Sequence, residues 1–299
     1  MQRRVFLRNT ALLAGAGLLF QKQAAARFFR TSEYNIRMLT SRAGIFTERG
    51  GTIGFLVTDD GIVAIDAQFP DTAQHFIDEA KKKSEKSVAY LLNTHHHGDH
   101  TAGNIAFKGI VSHVLAHENS LANQKAVAEK ANNLDKQLLP DITFRDETKL
   151  KIGKAKIKGY YFGAGHTNGD AVYHLEDEGL VHMGDLLFNR RHPFVDRPGG
   201  ASMVSWTGVL DKIAAKFGKD TTYIFGHAGT GYDVTGKQAD LVAFRDYLQR
   251  VLDFANAEIK AGRTKEDFLK NTSIPGVTEW TGDGIQRPLA AAWDELTSK

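Results

Sequence analysis

The chain reads as a single large α/β domain, and three observations lead there. Short β-like runs bounded by glycine, aspartate or asparagine alternate with amphipathic helical stretches, and the alternation falls into two similar halves. No internal repeat or low-complexity linker interrupts the pattern. There is no cysteine, so stability must come from a hydrophobic core, which 299 residues with 42% hydrophobic side chains can build.

The elements follow in order. Residues 52–58 and 62–67 alternate or run apolar around Asp59-Asp60-Gly61, a hairpin pattern. Residues 71–84 carry Phe76, Ile77 and Ala80 on one side and end in lysines, which predicts a helix whose terminal charge suits its dipole. A strand at 88–92 leads into a His-rich loop; a strand at 110–115 and a helix near 118–131 come next. Further β-like segments stand around 142–144, 149–152 and 156–162. Residues 171–175 and 180–183 predict a second hairpin through Asp177-Glu178-Gly179. Residues 202–217 read as a helix, 222–225 as a strand and 237–260 as a long amphipathic helix. From residue 259 onward, helices packed on the outside are expected, with Pro275-Gly276 as a turn.

Residues 1–26 read as an export leader, separate from the domain expected at 27–299. Arg3-Arg4-Val5-Phe6-Leu7 precedes an apolar run at 11–20, and Ala24-Ala25-Ala26 offers a small-residue cleavage site. Twin arginines before Phe-Leu resemble a bacterial Tat leader, which implies a periplasmic or secreted protein. The apolar run is too short to span a bilayer and no cysteine follows it, so no membrane anchor is expected after cleavage. The leader holds Arg3, Arg4, Arg8 and Lys22 and no acid, leaving 34 basic against 35 acidic residues in the rest. The net charge of +3 therefore belongs to the leader, and a small molecule rather than a nucleic acid is the expected partner.

Thr94-His95-His96-His97-Gly98-Asp99-His100 sets four imidazoles and a carboxylate directly after the β-like Val88-Ala89-Tyr90-Leu91-Leu92. A loop leaving a strand aims such side chains at one point, and nitrogen and oxygen donors suit Zn²⁺ or Fe²⁺. His95 and His97 are two apart, so on extended backbone they point the same way, and Gly98 lets the chain turn Asp99 and His100 elsewhere. Three later fragments, Gly165-His166-Thr167, Met183-Gly184-Asp185 and Phe225-Gly226-His227, each end a short apolar or β-like run with one donor beside glycine.

The order His95-x-His97-x-Asp99-His100, then His166, Asp185 and His227, resembles the metallo-β-lactamase superfamily over about residues 50–230. The resemblance implies a four-layer αββα sandwich, here with extra C-terminal helices, and metals at an edge where loops converge. It implies a first metal on His95, His97 and His166, a second on Asp99, His100 and His227, and Asp185 bridging both. Two Zn²⁺ ions are expected, with iron or manganese as alternatives, and a hydroxide held between them as nucleophile. Asp99 is the expected catalytic residue, passing a proton to the leaving atom. Asp66, ending Ile62-Val63-Ala64-Ile65-Asp66, matches the superfamily's early aspartate, which supports the metal loop by hydrogen bonds.

Departures narrow the expectation. True metallo-β-lactamases usually carry Cys or a different ligand set where Asp185 stands, which favours the broader hydrolase branch of thioesterases and lactonases. Glyoxalase II has a Gly-Cys-Gly-Arg-like stretch and a His-Glu-Tyr-Thr context; Asn189-Arg190-Arg191-His192 and His227-Ala228-Gly229-Thr230 stand here, so glutathione recognition is not expected. The expected function is an exported dinuclear zinc hydrolase of an ester, lactone, thioester or amide, to which a weak β-lactamase activity is chemically close. The alternatives are a mononuclear iron enzyme resembling persulfide dioxygenases and a non-catalytic periplasmic metal- or ligand-binding protein.

The other histidines carry weaker signals. His96 is expected as a wall or supporting residue, His117 as a helix start, and His75, His113, His174 and His182 in hydrogen-bonded core or surface roles. His192 borders the expected cleft and either touches substrate or does not; Arg190 and Arg191 either meet an acidic substrate group or face water. Loops 47–51 and 189–200, with Trp206, are the expected pocket walls. Gly231-Tyr232-Asp233-Val234-Thr235-Gly236-Lys237 mimics a phosphate loop, but Gln238 replaces the hydroxyl residue, so a turn entering a helix is expected.

Overall fold

The computed structural model describes residues 34–298; the leader expected at residues 1–26 lies outside them. Contacts divide the chain into Met1–Asn35, of which Tyr34 and Asn35 are described, and the unit Ile36–Lys299. Seven strands form the first sheet in sequence order: β1 (Asn35–Met38), β2 (Ala43–Thr47), β3 (Ile53–Thr58), β4 (Gly61–Ile65), β5 (Val88–Leu92), β6 (Val111–His117) and β7 (Ile142–Phe144). The pairs β2–β3 and β3–β4 are antiparallel, while β4 through β7 run parallel. Parallel neighbours need crossovers. Helix α1 (Pro70–Lys83) supplies one, a helical turn at Gly98–Thr101 with the 3₁₀ segment Ala102–Phe107 the next, and α2 (Glu118–Lys130) the third.

The second sheet holds β8 (Glu147–Ile152), β9 (Ala155–Tyr161), β10 (Ala171–Leu175) and β11 (Leu180–His182), joined as antiparallel neighbours. The two-residue strand β12 (Phe188–Asn189) lies outside it, and β13 (Thr222–Ile224) pairs parallel to β11. Strand β14 (His227–Ala228) pairs with β12, and β15 (Thr235–Gly236) closes the sheet on β13. Helices α3 (Met203–Lys216), α4 (Gln238–Lys260) and α5 (Gln286–Thr297) follow, with a single helical turn at Lys265–Phe268 between the last two.

Side-chain alternation builds the layers, because successive residues of a strand face opposite sides. In β4, Ile62 and Ala64 join Phe46, Phe55, Phe76 and Phe107 between the first sheet and α1. Val63 and Ile65 turn the other way and meet Ile157, Tyr173 and Leu180 between the two sheets. From the second sheet's far face, Val172 and Val181 pack on Trp206, Leu210, Phe244 and Leu289 of α3, α4 and α5. Three cores separate four layers: helix, sheet, sheet, helix. Phe76 meets Phe46 and Phe55 with ring centroids 5.8 Å apart, contacts each worth about 0.5–1.5 kcal/mol beyond simple burial.

Both expected hairpins form, and the long helices match their expected ranges closely; Ser202 caps α3 by accepting from the Ser205 backbone N–H at 3.0 Å. The C-terminal helix α5 does more than coat the outside, since Leu289, Ala292 and Trp293 are buried in the outer core. The phosphate-loop mimic is a turn and short strand entering α4. Its Lys237 Nζ donates to the Asp220 carbonyl and Thr222 hydroxyl, both at 2.9 Å. Among the described residues no helix is long and apolar enough to cross a membrane.

Candidate metal centre

Every donor named above stands where a strand ends. Asp66 follows β4, the 94–100 loop follows β5, His166 follows β9, Asp185 follows β11, and His227 begins β14 just past β13. Two stacked sheets thus deliver their loops to one edge. Glycine allows the final approach: a Cβ on Gly226 would lie 1.9 Å from Asp185 Oδ1, so only glycine lets that backbone pass behind the carboxylate.

One group gathers the inner nitrogens of three imidazoles. His97 Nδ1 lies 3.1 Å from His95 Nε2 and 2.8 Å from His166 Nε2. Each ring is held by its other nitrogen: His95 Nδ1 is 3.0 Å from the Thr94 hydroxyl, His97 Nε2 is 2.9 Å from Asp196, and His166 Nδ1 donates to the Phe194 carbonyl at 2.8 Å. In the second group, His100 Nδ1 meets Asp66 at 2.7 Å while His227 Nε2 meets Asp99 at 3.1 Å. Asp185 stands between the groups. Its carboxylate lies 3.1 Å from His100, 3.4 Å from His166, 3.5 Å from His227 and 4.0 Å from His95.

The donor set suits divalent cations. Ligand bonds of about 2.0–2.1 Å in a tetrahedron put donor atoms about 3.3 Å apart, close to these spacings. His95, His97, His166 and Asp185 form one candidate metal-holding group and Asp99, His100 and His227 another. His100 Nε2 and Asp185 Oδ1 are buried and face each other at 3.1 Å without a well-directed hydrogen bond, and neither has another partner, the condition a cation between them relieves.

The electrostatics divide the same way. Burial, with help from neighbouring imidazoles, holds His95 well below the usual imidazole range and pushes His166 down to about 3, so both present lone pairs. Burial opposes charge on His100 and His227 too, but Asp185 outweighs it, aided by Asp66 at His100 and Asp99 at His227. His100 is raised well above its ordinary value and His227 to about 8. Burial would raise Asp99, yet its bond to His227 and the His100 charge bring it down to about 2.

A cleft of about 330 Å³ opens over these groups, walled by Phe188, Arg191, His192, Phe194 and Arg287. The expected walls need correction. Of residues 47–51, Gly51 is buried against the His-rich loop rather than lining the cleft: its N–H donates to the Asp99 carbonyl at 3.0 Å, and Gln68 donates to the Gly51 carbonyl at 2.6 Å. Trp206 is fully buried, donates to the Leu186 carbonyl at 3.1 Å, and backs the His166 ring at 5.7 Å. Arg190 turns away to Asp240 at 3.1 Å and Glu279 at 3.4 Å. His192 lines the cleft with its Nδ1 2.8 Å from the Tyr247 hydroxyl.

The remaining histidines take hydrogen-bonded or packed places. His96 meets Asp196 at 3.2 Å, His75 meets Glu48 at 2.9 Å, and His113 meets Asp141 at 2.8 Å. His174 packs on Phe217 with ring centroids 5.0 Å apart. His117 caps α2, and His182 ties to the Thr52 carbonyl at 3.1 Å. Three useful residues carry no sequence signal. Asp196 orients His97; Asp170 accepts from the Gly165 and Thr167 N–H groups at 3.2 and 2.9 Å, clamping the His166 loop; Arg287 arrives from α5. Only Asp196 falls in a stretch the sequence marks at all, the 189–200 loop.

The family model of the metallo-beta-lactamase superfamily matches residues 46–227. A metallo-beta-lactamase type 2 of Bacillus cereus is 24% identical over 212 residues, covering 67% of this chain and 79% of its own. A hydroxyacylglutathione hydrolase of Maricaulis maris is 31% identical over 138 residues, covering 45% and 47%. Among solved structures, a metallo-beta-lactamase from Pontibacter korlensis aligns with a TM-score of 0.59 at 21% identity, over 73% of this chain and 99% of that one. A stereoselective inverting sec-alkylsulfatase from Pseudomonas sp. aligns with a TM-score of 0.70 at 15% identity, over 88% and 50%; these likenesses show the fold. The chain belongs to the metallo-beta-lactamase superfamily and is a metal-dependent hydrolase.

Proposed function

We propose that this chain is a dinuclear zinc hydrolase that cleaves a small ester, lactone, thioester or amide, exported by the leader at residues 1–26. The observation that carries the reading is the Asp185 carboxylate, set within 4.0 Å of imidazole nitrogens from both groups. In this reading His95, His97 and His166 hold one ion, Asp99, His100 and His227 the other, and Asp185 both. Two divalent ions supply Lewis acidity toward a carbonyl oxygen and a nucleophilic water at neutral pH. The chain's own residues do the rest. Asp66, Thr94, Asp196 and the Phe194 carbonyl fix the imidazole orientations. Asp99 lines the open cleft, is about one-third exposed and is held ionised, so it can take the proton an attacking water gives up and pass it to a departing group. Phe188 and Phe194 keep part of the wall apolar.

A single-iron enzyme of the persulfide-dioxygenase kind keeps the same ligand signature, so metal content together with oxygen consumption separates it from a two-zinc hydrolase. The test is a turnover panel of esters, lactones, thioesters and β-lactams on the zinc-loaded chain. Hydrolysis supports the proposal; oxygen consumption with iron, and no hydrolysis, would overturn it. Export is tested by expressing the full chain with Arg3→Lys and Arg4→Lys: the periplasmic fraction should be lost, and unchanged export would remove that part.

A further inference from the structure

Arg191 and Arg287 line the cleft over the candidate metal centre, from the 189–200 loop and from the first turn of α5. Both are exposed, and neither forms an ion pair with a carboxylate among the described residues. Their neighbour Arg190 shows the contrast, being bound to Asp240 and Glu279. The cleft's carboxylates do not answer them either. Asp99 is engaged by His227 and Asp185 by His100, both at 3.1 Å. The cleft thus presents two guanidinium groups without an anion.

Arg287 is placed against local preference. A helix N-terminus favours acids, yet the first turn of α5 holds no acid and does hold this cation. It also lies outside residues 46–227, the part matched by the superfamily model. Beside the arginines Phe194 is 44% exposed, a large apolar face at the same opening.

We infer that Arg191 and Arg287 form an anion subsite, and that the substrate is a small carbonyl compound bearing its own carboxylate or similar oxyanion beside an apolar portion that Phe194 covers. The inference rests on the hydrolase reading above. Guanidinium forks bind such groups through paired N–H bonds, and cations at a cleft mouth draw anionic substrates inward. A cleft near the lower end of the usual ligand-site range of roughly 300–1,000 Å³ limits the substrate to a small molecule.

The experiment compares para-nitrophenyl hemisuccinate, which is anionic, with neutral para-nitrophenyl butyrate on the zinc-loaded full chain. The ratio of kcat/KM, anionic over neutral, should fall about tenfold for each of Arg191→Gln and Arg287→Gln, mostly through KM. A ratio unmoved in both variants overturns the subsite. Calorimetric titration of succinate separates the two readings when the wild-type chain cleaves neither ester. Binding that weakens about tenfold in the double variant then keeps the subsite and sinks the hydrolase; absent or unaltered binding sinks the subsite.

Discussion

Asp66 and His100 meet at 2.7 Å with both side chains wholly buried. The same carboxylate accepts from the Thr94 N–H and hydroxyl at 2.8 Å each, so one residue fixes both ends of the His-rich loop. Asp66 adopts φ of +65°, a left-handed conformation unusual outside glycine that the surrounding bonds hold in place. Asp66→Asn puts an amide where an acceptor is needed. Metal affinity should fall about 10- to 100-fold, read by competition with a chromophoric chelator. Unchanged affinity would remove Asp66 from the support of the site.

Asp99 and His96 are near neighbours in sequence with different surroundings. Asp99 faces the cleft and His227, whereas His96 is buried against Asp196. Asp99→Ala should lower kcat by about 10²- to 10⁴-fold, the range of a lost proton-transfer group, and His96→Ala far less. Equal losses would undo the assignment of Asp99.

The grouping of the candidate metal donors is legible in the sequence for a physical reason. Each donor is tied to a local pattern: a strand, then a loop with glycine, then a ligand-type side chain. The spacing of His95, His97, Asp99 and His100 lies within one loop, and glycines flank His166, Asp185 and His227. What failed was long-range. Strands β1 and β2 escaped because short segments before a glycine-rich loop show little periodicity, and the two-residue strands β12 and β14 have none. Trp206 reads as a wall in sequence because an aromatic near a cleft suggests one; its burial behind His166 is decided by how α3 packs. The approach of Arg287 depends on α5 docking against the outer core, which no local pattern records.

Gly226 tests close packing at the site. The Cβ in Gly226→Ala would meet Asp185 Oδ1 at 1.9 Å and the Gly184 backbone at 2.9 Å. Displacing Asp185 by about 1 Å should cost about 10²-fold in kcat or more, with near-native circular dichroism. Activity within twofold of the parent would mean the carboxylate is not critically placed.

Asp170 supplies a pH dependence. Burial raises its carboxyl to about 7 despite the Thr167 and Gly165 bonds that favour the charged form. The folded state therefore holds this proton more tightly than the unfolded state, whose value is near 3.8. Its contribution is most favourable below about pH 4, declines as pH rises to about 7, and is level above. Asp170→Asn removes the titration. In chelator-treated protein, the stability of the parent relative to the variant should fall by a few kcal/mol between pH 4 and 7, measured by urea unfolding. A pH-independent difference would contradict this.

The metal content of the purified chain tests the central claim most directly. Elemental analysis after exhaustive dialysis should find two zinc ions per chain, falling to about one in Asp99→Ala with His227→Ala, which leaves His95, His97 and His166 intact. A single iron per chain, or no tightly held metal at all, would contradict the pairing of two cations about Asp185.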